Sequence, residues 1–437
     1  MDKTRFVAVV GKPVLHSRSP QLYQSLLKKK YLPACLRLSA GSASEILPAA
    51  ASLPLKGFNV TSPFKHALLP YLDILHPDAE KIAAVNLVMR RGNRWMGFNT
   101  DHTGVRHAFQ KHGVDISGKK VLIAGAGGAA RAAAFACLKA KAASVRFLNR
   151  NEKNARSSAR LMRCEYARLP EWSSLAEKSD ILISCIPGAQ AKKHLNGNIF
   201  PEIVMEADYA GPGLDFLRQR NSHLYIPGEE WLIYQGLPSF RRLTGKPAPD
   251  VNPEALLQKK SGETRSASPR IALIGFMGTG KTATGEILAR MLNLPFIDTD
   301  RRIQDETRLS LPRIFQQQGE RGFRDLENRL IPDMIRGTEK SVVALGGGAP
   351  VHQNIKNILR EKCLVVWLWT SWRTTRKRIS GSPRPPLAAQ QRGDSLESIF
   401  MKRKIHYARA ADVVIPADSL SPETAARRIV DEICSTF

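Results

Sequence analysis

Val121-Leu-Ile-Ala-Gly125-Ala-Gly127-Gly128-Ala129-Ala-Arg131 decides the fold of the first half of the chain. An apolar run of strand length enters a glycine-rich turn and then an alanine-rich stretch that favours helix. In that order the glycines let the backbone approach a pyrophosphate. The first turn of the helix then offers unpaired N–H groups and a positive dipole. Gly-x-Gly-Gly alone is a weak signal, and the strand before it and helix after it strengthen it. The next apolar run, 145–148, ends at Asn149-Arg150. An NAD site places a carboxylate at this strand end to hold the ribose hydroxyls, whereas Arg150 suits the 2′-phosphate of NADP. A solvated arginine is the alternative. Gly125, Gly127, Gly128, Ala129, Asn149 and Arg150 are therefore the candidate cofactor residues.

Outward from this stretch, short apolar runs alternate with helical patterns nearly throughout, which predicts an α/β chain with parallel sheets. Runs 181–184 and 204–207 continue the first series, and 271–274, 296–298, 342–345 and 364–368 form a second. Between them, residues 246–268 are rich in Pro, Ser, Lys and Gly, a composition that favours a linker. The length of 437 residues calls for two to four folding units. The six cysteines are scattered, with no spacing that suggests a zinc or redox pair, so a reduced, cytoplasmic protein is expected. The first apolar run, 6–10, is too short for a signal segment or a membrane span.

The net charge of +27 divides as +18 over residues 1–268 and +9 over 269–437, so it is not a basic tail. Such an excess steers anionic substrates or binds nucleic acid, or it is a solvated surface bias. No aromatic RNA-binding motif, zinc-finger spacing or basic heptad accompanies it, and small-molecule substrates are the expected partners.

Three polar clusters precede the glycine turn, each at the end of an apolar run. They are Gly11-Lys-Pro-Val-Leu-His16-Ser17-Arg-Ser19-Pro20, Asn59-Val-Thr61-Ser-Pro-Phe-Lys65, and Gly97-Phe-Asn99-Thr100-Asp101. Strand ends are where α/β proteins build sites. Read singly, Lys65 is a solvated lysine and Asp101 a helix cap. Three such clusters within about ninety residues are hard to assign to chance.

Over roughly residues 1–245 these motifs resemble shikimate dehydrogenase. The resemblance implies that Ser17, Ser19, Asn59, Thr61, Asn86, Thr100 and Gln235 hold the substrate, and that Lys65 and Asp101 form the catalytic pair. Asp208-Tyr209 and the stretch 228–235 resemble the elements that close around nicotinamide and substrate. An ammonium beside a carboxylate suits the proton delivery that ketone reduction needs. The implied architecture is a substrate domain at 1–102, completed by helices at 229–245, and a Rossmann NADP domain at 103–228. Two departures stand out. Ser184-Cys-Ile-Pro187 replaces the family's Asn-Ala-Thr-Pro. Asn151 and Asn154 stand where a threonine and a further basic residue are common, leaving Arg150, with Lys153 or Arg156, to hold the phosphate.

After the linker, Gly275-Phe-Met-Gly278-Thr279-Gly280-Lys281-Thr282 gives the complete phosphate-loop pattern behind a strand. Its amides wrap phosphates, Lys281 reaches the terminal ones, and Thr282 ligates magnesium. The pattern specifies the nucleotide and not the acceptor. Asp298-Thr-Asp300, Arg321-Gly-Phe-Arg324-Asp-Leu-Glu327, Gly346-Gly347-Gly348, Arg384-Pro-Pro-Leu387 and Lys402-Arg403 follow. Together these resemble shikimate kinase over residues 269–437. The resemblance implies that Asp300, Arg324, Gly347 and Arg403 bind shikimate and that Asp300 is the candidate base. It also implies that Asp298 organises magnesium, and that Arg384, with Lys377 or Arg378, closes over the transferring phosphoryl group. The expected whole is a fusion of two consecutive enzymes of the shikimate pathway, using NADPH and then MgATP. Alternatives are a quinate-type dehydrogenase fused to another small-molecule kinase, or a non-catalytic regulatory protein.

Overall fold

The computed structural model describes residues 6–26, 35–53, 55–197, 199–247, 270–337, 340–380 and 395–434. Most of the expected linker, and the expected lid with Arg384, lie outside the described residues. The chain divides into two compact units, one comprising Met1–His16, Lys29–Leu55 and Lys260–Phe437, the other Ser17–Lys28 and Lys56–Lys259.

The second unit contains a parallel six-stranded sheet built from β7 (Lys120–Ala124), β8 (Ser144–Asn149), β9 (Glu165–Arg168), β10 (Ile181–Ser184), β11 (Ile203–Glu206) and β12 (Leu224–Ile226). Its order is β12-β11-β10-β7-β8-β9, with the chain reversing direction of travel at β7. Alternation along the strands makes two cores. Val121, Ile123, Phe147, Ile181 and Ile183 face one layer of helices, while Leu122, Leu148, Leu182 and Val204 face the other. The helix Gly128–Lys139 lies close on the first face because its buried side are alanines, Ala130, Ala132, Ala133, Ala134 and Ala136. This is the doubly wound arrangement that the glycine-rich stretch predicts, with the turn at the sheet's topological switch point.

The same unit holds β3 (Leu55–Val60), β4 (Ile74–Leu75), β5 (Leu87–Arg91) and β6 (Arg94–Phe98), in the order β3-β5-β6-β4. The helix Gly228–Thr244 packs on the helix Asp101–Lys111. Trp231, Gln235 and Ser239 recur at i, i+4 and i+8, so helical geometry puts all three on its buried face.

The first unit is one parallel sheet. Its strands are β1 (Phe6–Gly11), β2 (Cys35–Ser39), β13 (Arg270–Ile274), β14 (Phe296–Asp298), β15 (Val342–Ala344), β16 (Cys363–Trp369) and β17 (Val413–Pro416). They are ordered β14-β15-β13-β16-β17-β2-β1. The phosphate loop leaves β13, the strand flanked by β15 and β16. β16 is buried along its whole length, as a central parallel strand covered on both faces must be. A single core joins Ile271, Leu273, Val366, Val413, Ala426 and Ile429 with Val9 and Val14. β1, β2 and the helix Ala43–Ser52 thus group with elements from beyond residue 269, which composition does not foreshadow.

Candidate active sites

In the second unit, Lys65 stands on the short helix Phe64–Ala67 just after β3, and Asp101 opens the helix that follows β6. Lys65 Nζ donates to Asp101 Oδ2 at 2.5 Å. The carboxylate is nearly buried and the ammonium one-fifth exposed, so the pair keeps one open side. Asn86 fixes the carboxylate by donating from Nδ2 to Asp101 Oδ1 at 2.8 Å, while its Oδ1 accepts the Thr100 amide at 2.7 Å. Asn86 Nδ2 also donates to Thr100 Oγ1 and to Gln235 Oε1, each at 2.9 Å. Asn59 joins this network by donating to the Asn86 carbonyl at 3.1 Å. Asn59, Asn86, Thr100 and Asp101 are all buried, and buried polar groups so placed hold one another in register. Ser17 and Ser19 are buried at the start of the helix Ser19–Leu26, and Thr61 and Tyr209 are half-buried.

Three residues to which the sequence assigned no individual role complete this cluster. Tyr23 OH donates to Asn59 Oδ1 at 2.7 Å, Ser239 Oγ lies 2.9 Å from Thr100 Oγ1, and Trp231 Nε1 donates to the Asp101 carbonyl at 3.0 Å. The i, i+4, i+8 spacing of Trp231, Gln235 and Ser239 was the available signal.

The glycine-rich turn reaches the same place. A Cβ added at Gly128 would stand 3.1 Å from the Lys65 Cβ, and one at Gly125 would meet Cys185 at 3.3 Å. Burial raises the Cys185 thiol well above its ordinary range, so it stays protonated and apolar in its setting. The glycine turn whose amides could hold a pyrophosphate therefore lies beside Lys65. Arg150, Lys153 and Arg156 are all exposed at the end of β8 or on the helix after it. Asn151 Oδ1 caps that helix by accepting the Asn154 amide at 3.1 Å, and Asn149 Nδ2 donates to the Asn151 carbonyl at 3.0 Å. Of the two asparagines that depart from the family pattern, Asn151 thus shapes the helix start through its side chain.

In the first unit, Gly275, Gly278 and Gly280 all adopt positive φ, which curls the loop so that its amides face inward. Lys281 Nζ donates to the carbonyls of Gly275 and Phe276 at 3.0 and 2.9 Å. Burial lowers its pKa to about 8, opposed by the charges of Asp300 and Asp298. Thr282 Oγ1 donates to Asp298 Oδ2 at 2.7 Å, and Asp298 Oδ1 caps the helix Thr299–Thr307 through the amides of Asp300 and Arg301. A hydroxyl and a carboxylate in contact suit magnesium, which binds through few protein oxygens and keeps most of its own water.

The residues expected to bind the acceptor converge beside this loop. A Cβ at Gly346 would lie 2.6 Å from Asp300 Oδ1, and one at Gly348 would lie 2.1 Å from Arg324 Nη1, so any larger residue would make these side chains shift. Arg324 pairs with the fully buried Glu327, whose carboxyl burial raises and Arg324 lowers. Sequence reasoning quoted Glu327 without giving it a role. Tyr407 OH donates to the Gly347 carbonyl at 2.5 Å, and Arg403 lies over the Phe276 ring at 5.7 Å. Lys377 is exposed, while Arg378 Nη1 reaches the Gly278 carbonyl at 3.4 Å and so stands on the phosphate loop.

Comparison with known proteins agrees with both halves. The family described as Shikimate dehydrogenase substrate binding domain matches residues 9–88, and Shikimate / quinate 5-dehydrogenase matches 106–195. The Shikimate kinase family matches residues 277–434. A shikimate dehydrogenase (NADP(+)) of Syntrophobacter fumaroxidans is 30% identical over 275 residues, covering 60% of this chain and 96% of that protein. A shikimate kinase of Bacillus subtilis is 38% identical over 165 residues, covering 37% of this chain and 88% of that protein. The chain belongs to both families. Among solved structures, shikimate 5-dehydrogenase of Thermus thermophilus with NADP(H) and shikimate is 28% identical. It aligns with a TM-score of 0.50 over 58% of this chain and 97% of that one. Shikimate dehydrogenase of Aquifex aeolicus gives 26% identity and a TM-score of 0.52, over 59% and 97%. The chain is a bifunctional shikimate-pathway enzyme, a dehydrogenase using NADP(H) followed by a kinase using ATP and magnesium.

Proposed function

We propose that Lys65 and Asp101 carry the proton step by which 3-dehydroshikimate becomes shikimate, and that the site around Lys281 then phosphorylates the 3-hydroxyl so made. The observation that carries this reading is the Lys65–Asp101 pair, 2.5 Å apart, locked by Asn86 and bordered by Gly128. NADPH supplies the hydride. Lys65 Nζ holds the proton that the developing alkoxide needs, and Asp101 keeps the ammonium aimed. Ser17, Ser19, Asn59, Thr61, Asn86, Thr100, Tyr209 and Gln235 hold carboxylate and hydroxyls around it.

In the kinase, Asp300 accepts the hydroxyl proton, and Arg324 and Arg403 grip the carboxylate. Lys281 and the loop amides from Gly278 to Thr282 stabilise the charge of the transferring group. Thr282 and Asp298 hold the metal. Arg384 is assigned to the lid on resemblance alone. The domain limits given above, a cytoplasmic location and small-molecule partners without nucleic acid belong to the same reading. Among the described residues no helix is long and apolar enough to cross a membrane.

Lys65→Ala should remove reduction and leave phosphorylation unchanged, and Lys281→Ala should do the reverse. Loss of both activities from either substitution, in protein that folds, contradicts two separate sites.

A further inference from the structure

The helix Gly128–Lys139, which opens on the glycine-rich turn, packs against the segment that follows the helix Pro77–Ile82, and both belong to the second unit. That shorter helix is capped by Ala83 in the left-handed conformation, with φ 52°. Arg131 Nη2 donates to the Ala83 carbonyl at 3.1 Å, and His66 Nδ1 lies 2.9 Å from the same oxygen. Next in the chain, Ala84 packs with Ile82, Ala132 and Phe135, and a Cβ added at Gly128 would stand 3.2 Å from the Ala84 Cβ. Val85 then donates its amide to the Lys65 carbonyl at 2.8 Å. One short segment thus meets the glycine-turn helix on one side and the Lys65 backbone on the other.

Arg131 is half-buried, and its Nε is buried with no hydrogen-bond partner among the described residues. Burial alone lowers its pKa, with no carboxylate opposing the shift. A guanidinium taken from water without a counter-charge is costly, so stability does not explain its place. Its bond to a carbonyl does, because a charged donor makes one of the stronger hydrogen bonds. The far end of the segment is held separately, since Asn86 bonds to Thr100, Asp101 and Gln235.

We propose that Arg131 is a positioning residue for hydride transfer, its bond to the Ala83 carbonyl setting how closely the glycine turn approaches the Lys65–Asp101 pair. This rests on the reading that the turn holds NADPH and that Lys65 supplies the proton. A small misplacement of donor and acceptor slows a chemical step far more than it weakens binding. Altering Arg131 leaves the amides of the turn and the residues around the substrate in place. The loss therefore appears in kcat and not in either KM.

The test measures reduction of 3-dehydroshikimate by the full chain, with NADPH and with NADPH deuterated at the transferred position. Arg131→Met keeps the apolar stem and removes the donors. It should lower kcat roughly tenfold and raise the deuterium isotope effect on kcat, with both KM values within about twofold of the parent. Arg131→Lys keeps a charged donor and should recover most of kcat and the parental isotope effect. A lysine variant no better than the methionine variant overturns the role of the bond. If Arg131→Met does not fold, Arg131→Gln carries the test, since its shorter side chain withdraws the donor and should give the same slow, isotope-sensitive step. Lys65→Met in parallel separates the two readings. If it abolishes reduction while the folded Arg131 variants keep the parental kcat and isotope effect, the positioning role alone is overturned. If Lys65→Met reduces at the parental rate, the catalytic assignment falls and the positioning role with it. A fall in kcat with no change in isotope effect, or an equal rise in both KM values, overturns the specific role in favour of general loosening.

Discussion

Lys281 offers a pH dependence whose direction and size follow from its surroundings. Burial lowers its pKa from 10.5 to about 8 in the nucleotide-free site. The free loop therefore loses its proton as pH rises through about 8 and not through the ordinary lysine range. Phosphates favour the charged form, so binding MgATP above that pH must first restore the proton. For a group of this kind kcat/KM for ATP falls roughly tenfold per pH unit above the pKa. In the complex the phosphate charges raise the lysine again, so kcat stays level over the same interval. The lowered pKa also has a stability consequence. The unfolded lysine binds more protons than the folded one between about 8 and 10.5, so folding free energy becomes more favourable as pH rises across that window. Initial rates of phosphorylation at saturating shikimate, taken across that range with ATP varied, give both profiles. Lys281→Arg keeps its charge and should abolish the break in kcat/KM, whatever its absolute rate. A kcat/KM profile for ATP that stays flat to above pH 10, or that breaks equally in kcat, refutes the reasoning.

Arg150→Ala should narrow the preference for NADPH over NADH by about tenfold or more, since one charge-assisted contact to a phosphate is worth roughly 1.5–3 kcal/mol. Equal use of the two cofactors by the unaltered chain would contradict the role of Arg150. Arg324→Ala and Arg403→Ala should each raise KM for shikimate strongly and leave nucleotide binding little changed, as titration with a fluorescent ATP analogue would show. Weakened ATP binding with shikimate spared would move these arginines out of the acceptor site. Arg324→Ala should also destabilise the kinase, because it strips the buried Glu327 of its cation.

Both nucleotide-binding turns were legible because a strand, a glycine turn and a helix follow one another without interruption in the sequence. The clusters at strand ends were legible for the same reason, since β6 stops just before Thr100 and Asp101, and β3 and β14 end within the stretches that resemblance picks out. Tyr23, Trp231 and Ser239 were not, because a tyrosine, a tryptophan and a serine on helices read as core and surface until the helices pack. Glu327 needed the position of Gly346 and Gly348, whose missing side chains leave the space it shares with Arg324. Asn151, legible only as a departure from the family pattern, also caps a helix, a local role that a motif comparison does not register. Least legible was the pairing of β17 with β2, since a residue such as Glu432 near residue 437 gives no sign of the amides at Val14 and Leu15 that it accepts.

The most direct measurement follows 3-dehydroshikimate, NADPH and MgATP in one vessel with the purified chain as the only protein. Oxidation of NADPH should be matched mole for mole by the formation of shikimate 3-phosphate after a transient of free shikimate. Omitting ATP should stop the sequence at shikimate, and Lys65→Ala should prevent it from starting unless shikimate is added. NADPH oxidation with no phosphorylated product, or phosphorylation of added shikimate with no reduction of 3-dehydroshikimate, would contradict the assignment of two consecutive reactions to this chain.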